Sequence, residues 1–76
     1  MKNPKFVICI NNSEYPASLE KRKIYEVLPD SDAAKTKQIR VVDESGEDYL
    51  FPASCFIDAK LSKETRDAVA KVAWAN

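Results

Sequence analysis

The chain's 76 residues contain a single glycine, the last residue of Asp43-Glu44-Ser45-Gly46, which stands between two apolar runs. Glycine alone takes a positive φ without a clash from its own Cβ. Asp at the first position and Gly at the fourth suit a type I turn followed by a left-handed residue, a common loop for the longer hairpins. The flanking runs Ile39-Arg40-Val41-Val42 and Tyr49-Leu50-Phe51 are then the two strands it joins. A phosphate-cradling loop needs several glycines and a following helix, so Gly46 has no such role. Beyond the hairpin, Pro52 lacks an N–H and fixes φ, which ends the second strand. Pro52-Ala53-Ser54-Cys55 reads as one tight turn before Phe56-Ile57 resumes an extended path.

Upstream, Phe6 to Ile10 is a continuous apolar run, which by length and β-branching predicts a buried first strand. Asn11-Asn12-Ser13-Glu14 is a turn cluster, and Tyr15-Pro16 continues as an extended connection. Leu19 enters the polar turn Glu20-Lys21-Arg22-Lys23, and Ile24 to Leu28 is a second strand with Tyr25 and Val27 on one face. Residues 29–37 read as an exposed loop with one helical turn at Asp32 to Lys35. Ser62 is placed as the N-cap of a C-terminal helix with Glu64 in its first turn. Thr65, Ala68, Val69, Val72 and Ala73 form a narrow apolar stripe at helical period, with Trp74 off it. A helix this short is marginal in water and has to pack on something.

Five short strands with no crossover helix between them predict a mainly β chain. Its architecture is a small five-stranded partly open barrel over residues 1–60, then a C-terminal α-helix over residues 61–76, in one domain. Val7, Cys9, Leu19, Tyr25, Val27, Val41, Phe51 and Phe56 are its expected core. Such a barrel is filled by side chains, so no cofactor is expected.

The order of motifs resembles the Src-homology-3 barrel (SH3-like barrel), and more closely its small bacterial versions. Leu19 to Leu28 is similar to that family's diverging turn and second strand. Leu50-Phe51-Pro52-Ala53-Ser54-Cys55-Phe56-Ile57 is similar to its strand, short 3₁₀ turn and last strand. The resemblance covers about residues 5 to 60, and it implies an aromatic-lined groove for proline-rich peptides. Pro52 matches the groove proline. Cys55 stands where the groove tyrosine would be, no tryptophan lies near Gln38 or Ile39, and Ile10-Asn11-Asn12 replaces the first-strand aromatics.

Composition narrows the function further. Twelve basic and twelve acidic residues balance, so no global field draws in nucleic acid or anionic membrane. No apolar run approaches the ~20 residues of a transmembrane helix. The Phe6–Ile10 run is short of the roughly 7–15 apolar residues of a signal peptide, so a cytoplasmic location is expected. Cys9 and Cys55 do not form a C-x-x-C pair and the chain has no His, which leaves no zinc motif and no common general base. The two cysteines read either as small reduced hydrophobes or as a redox-sensitive pair brought together by the fold.

The expectation is therefore a non-enzymatic interaction or accessory module, monomeric or weakly dimeric, with another protein as partner. Tyr15, Tyr49, Pro52 and Trp74 are its candidate contact residues, since aromatics dominate binding hot spots. The alternative is a small nucleic-acid-associated barrel using Lys21, Arg22, Lys23, Lys37 and Arg40, although no aromatics interleave with them. Asp43, Glu44, Glu47 and Asp48 lack the spacing of a metal loop and are expected to be solvated turn charges.

Overall fold

The computed structural model describes residues 5–72. Five antiparallel strands curl into a half-barrel: β1 (Lys5–Cys9), β2 (Ile24–Leu28), β3 (Gln38–Val42), β4 (Asp48–Pro52) and β5 (Phe56–Asp58). Their order in the sheet is β4-β3-β2-β1-β5, a meander whose last strand returns to pair with its first. Two helices complete the described chain, α1 (Ser31–Lys35) between β2 and β3 and α2 (Lys63–Ala70) at the end. The mainly β architecture with a C-terminal helix is as the turn and strand signals require.

Register decides which residues meet. Val7 pairs with Tyr25, Cys9 with Phe56, Val27 with Val41 and Ile39 with Phe51. Opposed residues share a sheet face, so these side chains line one concave surface. Leu19 from the loop before β2 and Cys55 from the turn before β5 complete that core. Edge-to-face contacts tie its rings: Tyr25 to Phe56 with centroids 6.3 Å apart, and Phe51 to Phe56 at 6.2 Å. Fully burying side chains of this size contributes about 1.5–3 kcal/mol each. Of the expected core, Val27 is only half-buried, whereas Cys55, Phe6 and Ala33 are buried as well. Phe6 and Val7 point to opposite faces and both are buried, which is why the β1 run is continuous rather than alternating.

The hairpin turn forms as its residues dictate. Gly46 has φ +84° and donates its N–H to the Asp43 carbonyl at 3.0 Å, while Asp43 Oδ1 accepts from the Ser45 N–H at 2.8 Å. Glycine is not alone in the left-handed region, however: Arg22, Lys37 and Lys60 have φ of 73°, 58° and 50°. With one glycine in the chain, these three bends are made by cationic residues. Pro52 closes β4, and Ala53–Cys55 is a single 3₁₀ turn.

Three local expectations are corrected. The segment after Tyr15 is not extended: the Ser18 and Leu19 N–H groups both donate back to the Tyr15 carbonyl, at 3.1 and 2.9 Å, making a compact turn. The helical turn after β2 starts at Ser31, because the Asp30 carboxylate caps it by accepting from the Ala33 N–H at 3.0 Å. Ser62 caps α2 as expected, accepting from the Thr65 N–H at 3.1 Å, but the helix stops at Ala70. Val72 is 68% exposed, so the stripe does not extend to it. Ala73 and Trp74 lie outside the described residues. No residue of α2 is fully buried.

Candidate binding site

The loop between β1 and β2 is braced by its own polar groups. The Asn12 amide donates to the Leu19 carbonyl at 2.9 Å, the Tyr15 N–H to the Asn12 carbonyl at 2.9 Å, and the Ser13 N–H to Asn11 Oδ1 at 3.0 Å. That bracing sets the half-buried Tyr15 ring edge-on to Phe51, with centroids 5.1 Å apart. The facing wall is Pro52 and the 3₁₀ turn. Ile10 and Asn11 N–H groups both donate to the Cys55 carbonyl, at 2.8 and 3.3 Å, and join the two walls at their base. Between them lies a cleft of about 170 Å³ lined by Asn11, Ser13, Glu14, Tyr15, Pro52, Ser54 and Cys55.

Volume decides what this cleft can hold. Sites for cofactors and drug-sized ligands run from about 300 to 1,000 Å³, whereas an apolar cavity of ~150 Å³ takes a benzene-sized group. The cleft therefore accommodates one side chain. Pro52 is the ridge between it and a more open depression formed by Thr36, Lys37, Gln38, Ala53 and Ser54. Tyr15 and Pro52, distant in sequence, are brought together here. Tyr49 does not line the cleft: it lies three residues before Pro52 on β4, 48% exposed, with its hydroxyl donating to Glu47 at 2.9 Å. Asn11, Glu14 and Ser54 carry no motif of their own, and the only sequence signals for them are the turn cluster that begins at Asn11 and the tight turn that begins at Pro52.

Cys9 and Cys55 are both free and buried, small members of the core. Burial, with smaller contributions from Cys9 and Glu14, pushes the Cys55 thiol above its ordinary value. At neutral pH it stays protonated, the less nucleophilic form.

The basic residues form no common surface. Lys23 Nζ lies 2.8 Å from Glu44, and Arg40 pairs with Asp30 at 2.9 Å and Asp48 at 3.0 Å. Lys21 and Arg22 sit beside the start of β2, and Lys37 precedes β3 at the opposite end of those paired strands. Arg40 lies between, on a strand that rises roughly 3.3 Å per residue. The expected patch is thus split by strand direction and partly neutralised by its own carboxylates.

The acidic hairpin tip also departs from expectation. Asp43 is 5% exposed, its carboxylate taken up by the Ser45 N–H and hydroxyl. Glu44 folds back to accept from the Tyr25 hydroxyl at 2.5 Å, across 19 residues of sequence, while that hydroxyl accepts from the Glu20 N–H at 2.7 Å. Lys23 and Tyr25 hold the Glu44 carboxyl below its usual range, and burial followed by Glu44 raises the Tyr25 phenol. Glu44 thus fastens the hairpin to Tyr25, Lys23 and the Ser18 carbonyl, while Asp43 fastens the hairpin turn to itself.

Among the described residues no group of His, Cys, Asp and Glu is placed to hold a metal ion, and no helix is long and apolar enough to cross a membrane. Comparison of the chain with family models, curated proteins and solved structures finds no match.

Proposed function

We propose that this protein is a non-enzymatic, SH3-like interaction module of the cytoplasm that grips one apolar or proline side chain of an extended segment of a partner protein. The observation that carries the reading is the cleft between Tyr15 and Pro52, held open by the Tyr15–Phe51 contact and sized for one side chain. The return of β5 to β1 and the Pro52-led 3₁₀ turn support the SH3-like assignment. Cys55 at the position of the family's groove tyrosine reduces a multi-pocket groove to a single anchor site. Glu14 in the cleft lining favours a cation next to the anchored side chain. Two buried free thiols fit a reducing compartment.

Panning a displayed random-peptide library on the wild-type chain tests this. Enriched peptides should lose about tenfold in affinity on Tyr15→Ala, the equivalent of ~1.4 kcal/mol, and should be unaffected by Tyr49→Ala. Peptides indifferent to Tyr15→Ala would place binding elsewhere.

A further inference from the structure

Sheet order leaves β4 paired on one side only. The hydrogen bonds that flank the β3–β4 ladder fix which groups face the open side. Asp43 N–H donates to the Glu47 carbonyl and Ala53 N–H to the Lys37 carbonyl, both at 2.9 Å. In this antiparallel register bonded pairs fall on alternate residues, so Tyr49 and Phe51 direct their N–H and C=O groups to Val41 and Ile39. The N–H and C=O of Asp48 and Leu50, and the C=O of Pro52, therefore point away from β3. Tyr49 and Leu50 on this strand are 48% and 38% exposed. An open edge of this kind is a template for another strand.

We propose that β4 pairs antiparallel with β4 of a second copy of this chain, centred on Leu50 opposite Leu50. In that register the two Leu50 residues exchange N–H and C=O reciprocally. Each Asp48 N–H meets the Pro52 carbonyl of the other copy. Pro52 cannot donate, and in this pairing it is required only to accept, so every donor on the edge finds an acceptor. Tyr49, 48% exposed, comes opposite the backbone of Phe51 of the second copy, whose ring stays in its own core.

Charge selects both this direction and this partner. Antiparallel pairing sets Glu47 of one copy opposite Ala53 of the other, and Lys37 lies next to Ala53, its carbonyl accepting from the Ala53 N–H. Among the described residues the ion pairs engage Lys23, Lys35, Arg40, Lys63 and Arg66, and Lys37 has no carboxylate. The acidic hairpin end of each copy thus meets the Lys37 end of the other, twice by symmetry. Parallel pairing would instead set the acidic tips side by side.

Sedimentation across a concentration series tests the pairing. The wild-type chain should show a reversible monomer–dimer equilibrium. Leu50→Pro removes an N–H that β3 does not use and should give a monomer with an unchanged far-ultraviolet circular dichroism spectrum. Lys37→Glu and Glu47→Lys, both on exposed side chains, should each weaken the dimer by about tenfold, ~1.4 kcal/mol. Mixing these two variants restores opposite charges at both contacts, so the mixture should dimerise like wild type. A wild-type chain that stays monomeric at every concentration overturns the proposal. So does a dimer that the charge variants leave intact, singly and mixed.

Discussion

Tyr25→Phe is the substitution on which the energetics of this fold can be worked most closely. The ring stays and keeps its contact with Phe56, so only the hydroxyl is lost. That hydroxyl makes a charge-assisted bond to Glu44 at 2.5 Å and accepts from the Glu20 N–H at 2.7 Å. A bond to a charged group contributes about 1.5–3 kcal/mol and a neutral one about 1 kcal/mol. Removal leaves no buried orphan: Glu44 keeps Lys23 and has a side chain 34% exposed, and Glu20 is exposed. Water therefore recovers part of the loss, which sets the expected cost at roughly 1.5–3 kcal/mol. For a domain of this size that corresponds to a fall in Tm of about 10–20 °C. Urea unfolding of Tyr25→Phe, Glu44→Gln and the double variant should give a coupling of about 1–2 kcal/mol between the two groups.

The same hydroxyl predicts a pH signature with a definite sign. The folded-state phenol titrates above its ordinary value of 10.0, because burial and then Glu44 favour its neutral form. Its contribution is fully present below the unfolded value and is lost as pH rises from there towards the folded one. Wild-type stability should fall by about 1.4 kcal/mol per pH unit across that alkaline window, and Tyr25→Phe should lack most of the slope. A Tyr25→Phe variant within 0.5 kcal/mol of wild type (about the scatter of neutral surface substitutions), with the same alkaline slope, would refute the reasoning.

Two further outcomes follow from the backbone and the core. At Gly46 an added Cβ meets nothing within 4 Å, so only the φ of +84° resists substitution. Gly46→Val should accordingly cost about 1–2 kcal/mol or more while Gly46→Asn costs only a few tenths, and equal denaturation midpoints for the two would mean the turn is not left-handed. Phe56 is 8% exposed between Tyr25 and Phe51, so Phe56→Ala should cost ~3–5 kcal/mol; a loss under 1 kcal/mol would put the ring at the surface.

What could be read from the sequence was local. Asp43 with Gly46, Pro52 before a short turn, and Ser62 before a helix each announce a backbone geometry within four residues, and each forms as expected. Alternation in β2 likewise gave Tyr25 to the core. The failures are contacts between segments far apart in sequence. Nothing near Glu44 announces that it will bond Tyr25, because the donor stands on β2 and the acceptor in the hairpin turn. The basic residues looked like one patch because Lys37 and Lys23 are separated in sequence only by β2 and α1, whereas antiparallel pairing sends them to opposite ends. The cleft was half legible: Pro52 and Tyr15 were recognisable as candidate contact residues, but the width between them depends on how Asn12 braces its loop.

The claim at the centre of this account is that the chain binds a partner through the Tyr15–Pro52 cleft, and backbone amide shifts during titration with a library-selected peptide test it most directly. The account predicts that the largest changes fall on Asn11, Glu14, Tyr15, Ser54 and Cys55, and that Tyr15→Ala moves their midpoint to about tenfold higher peptide concentration. Largest changes on Lys21, Arg22 and Lys23, or along α2 from Lys63 to Ala70, would contradict it.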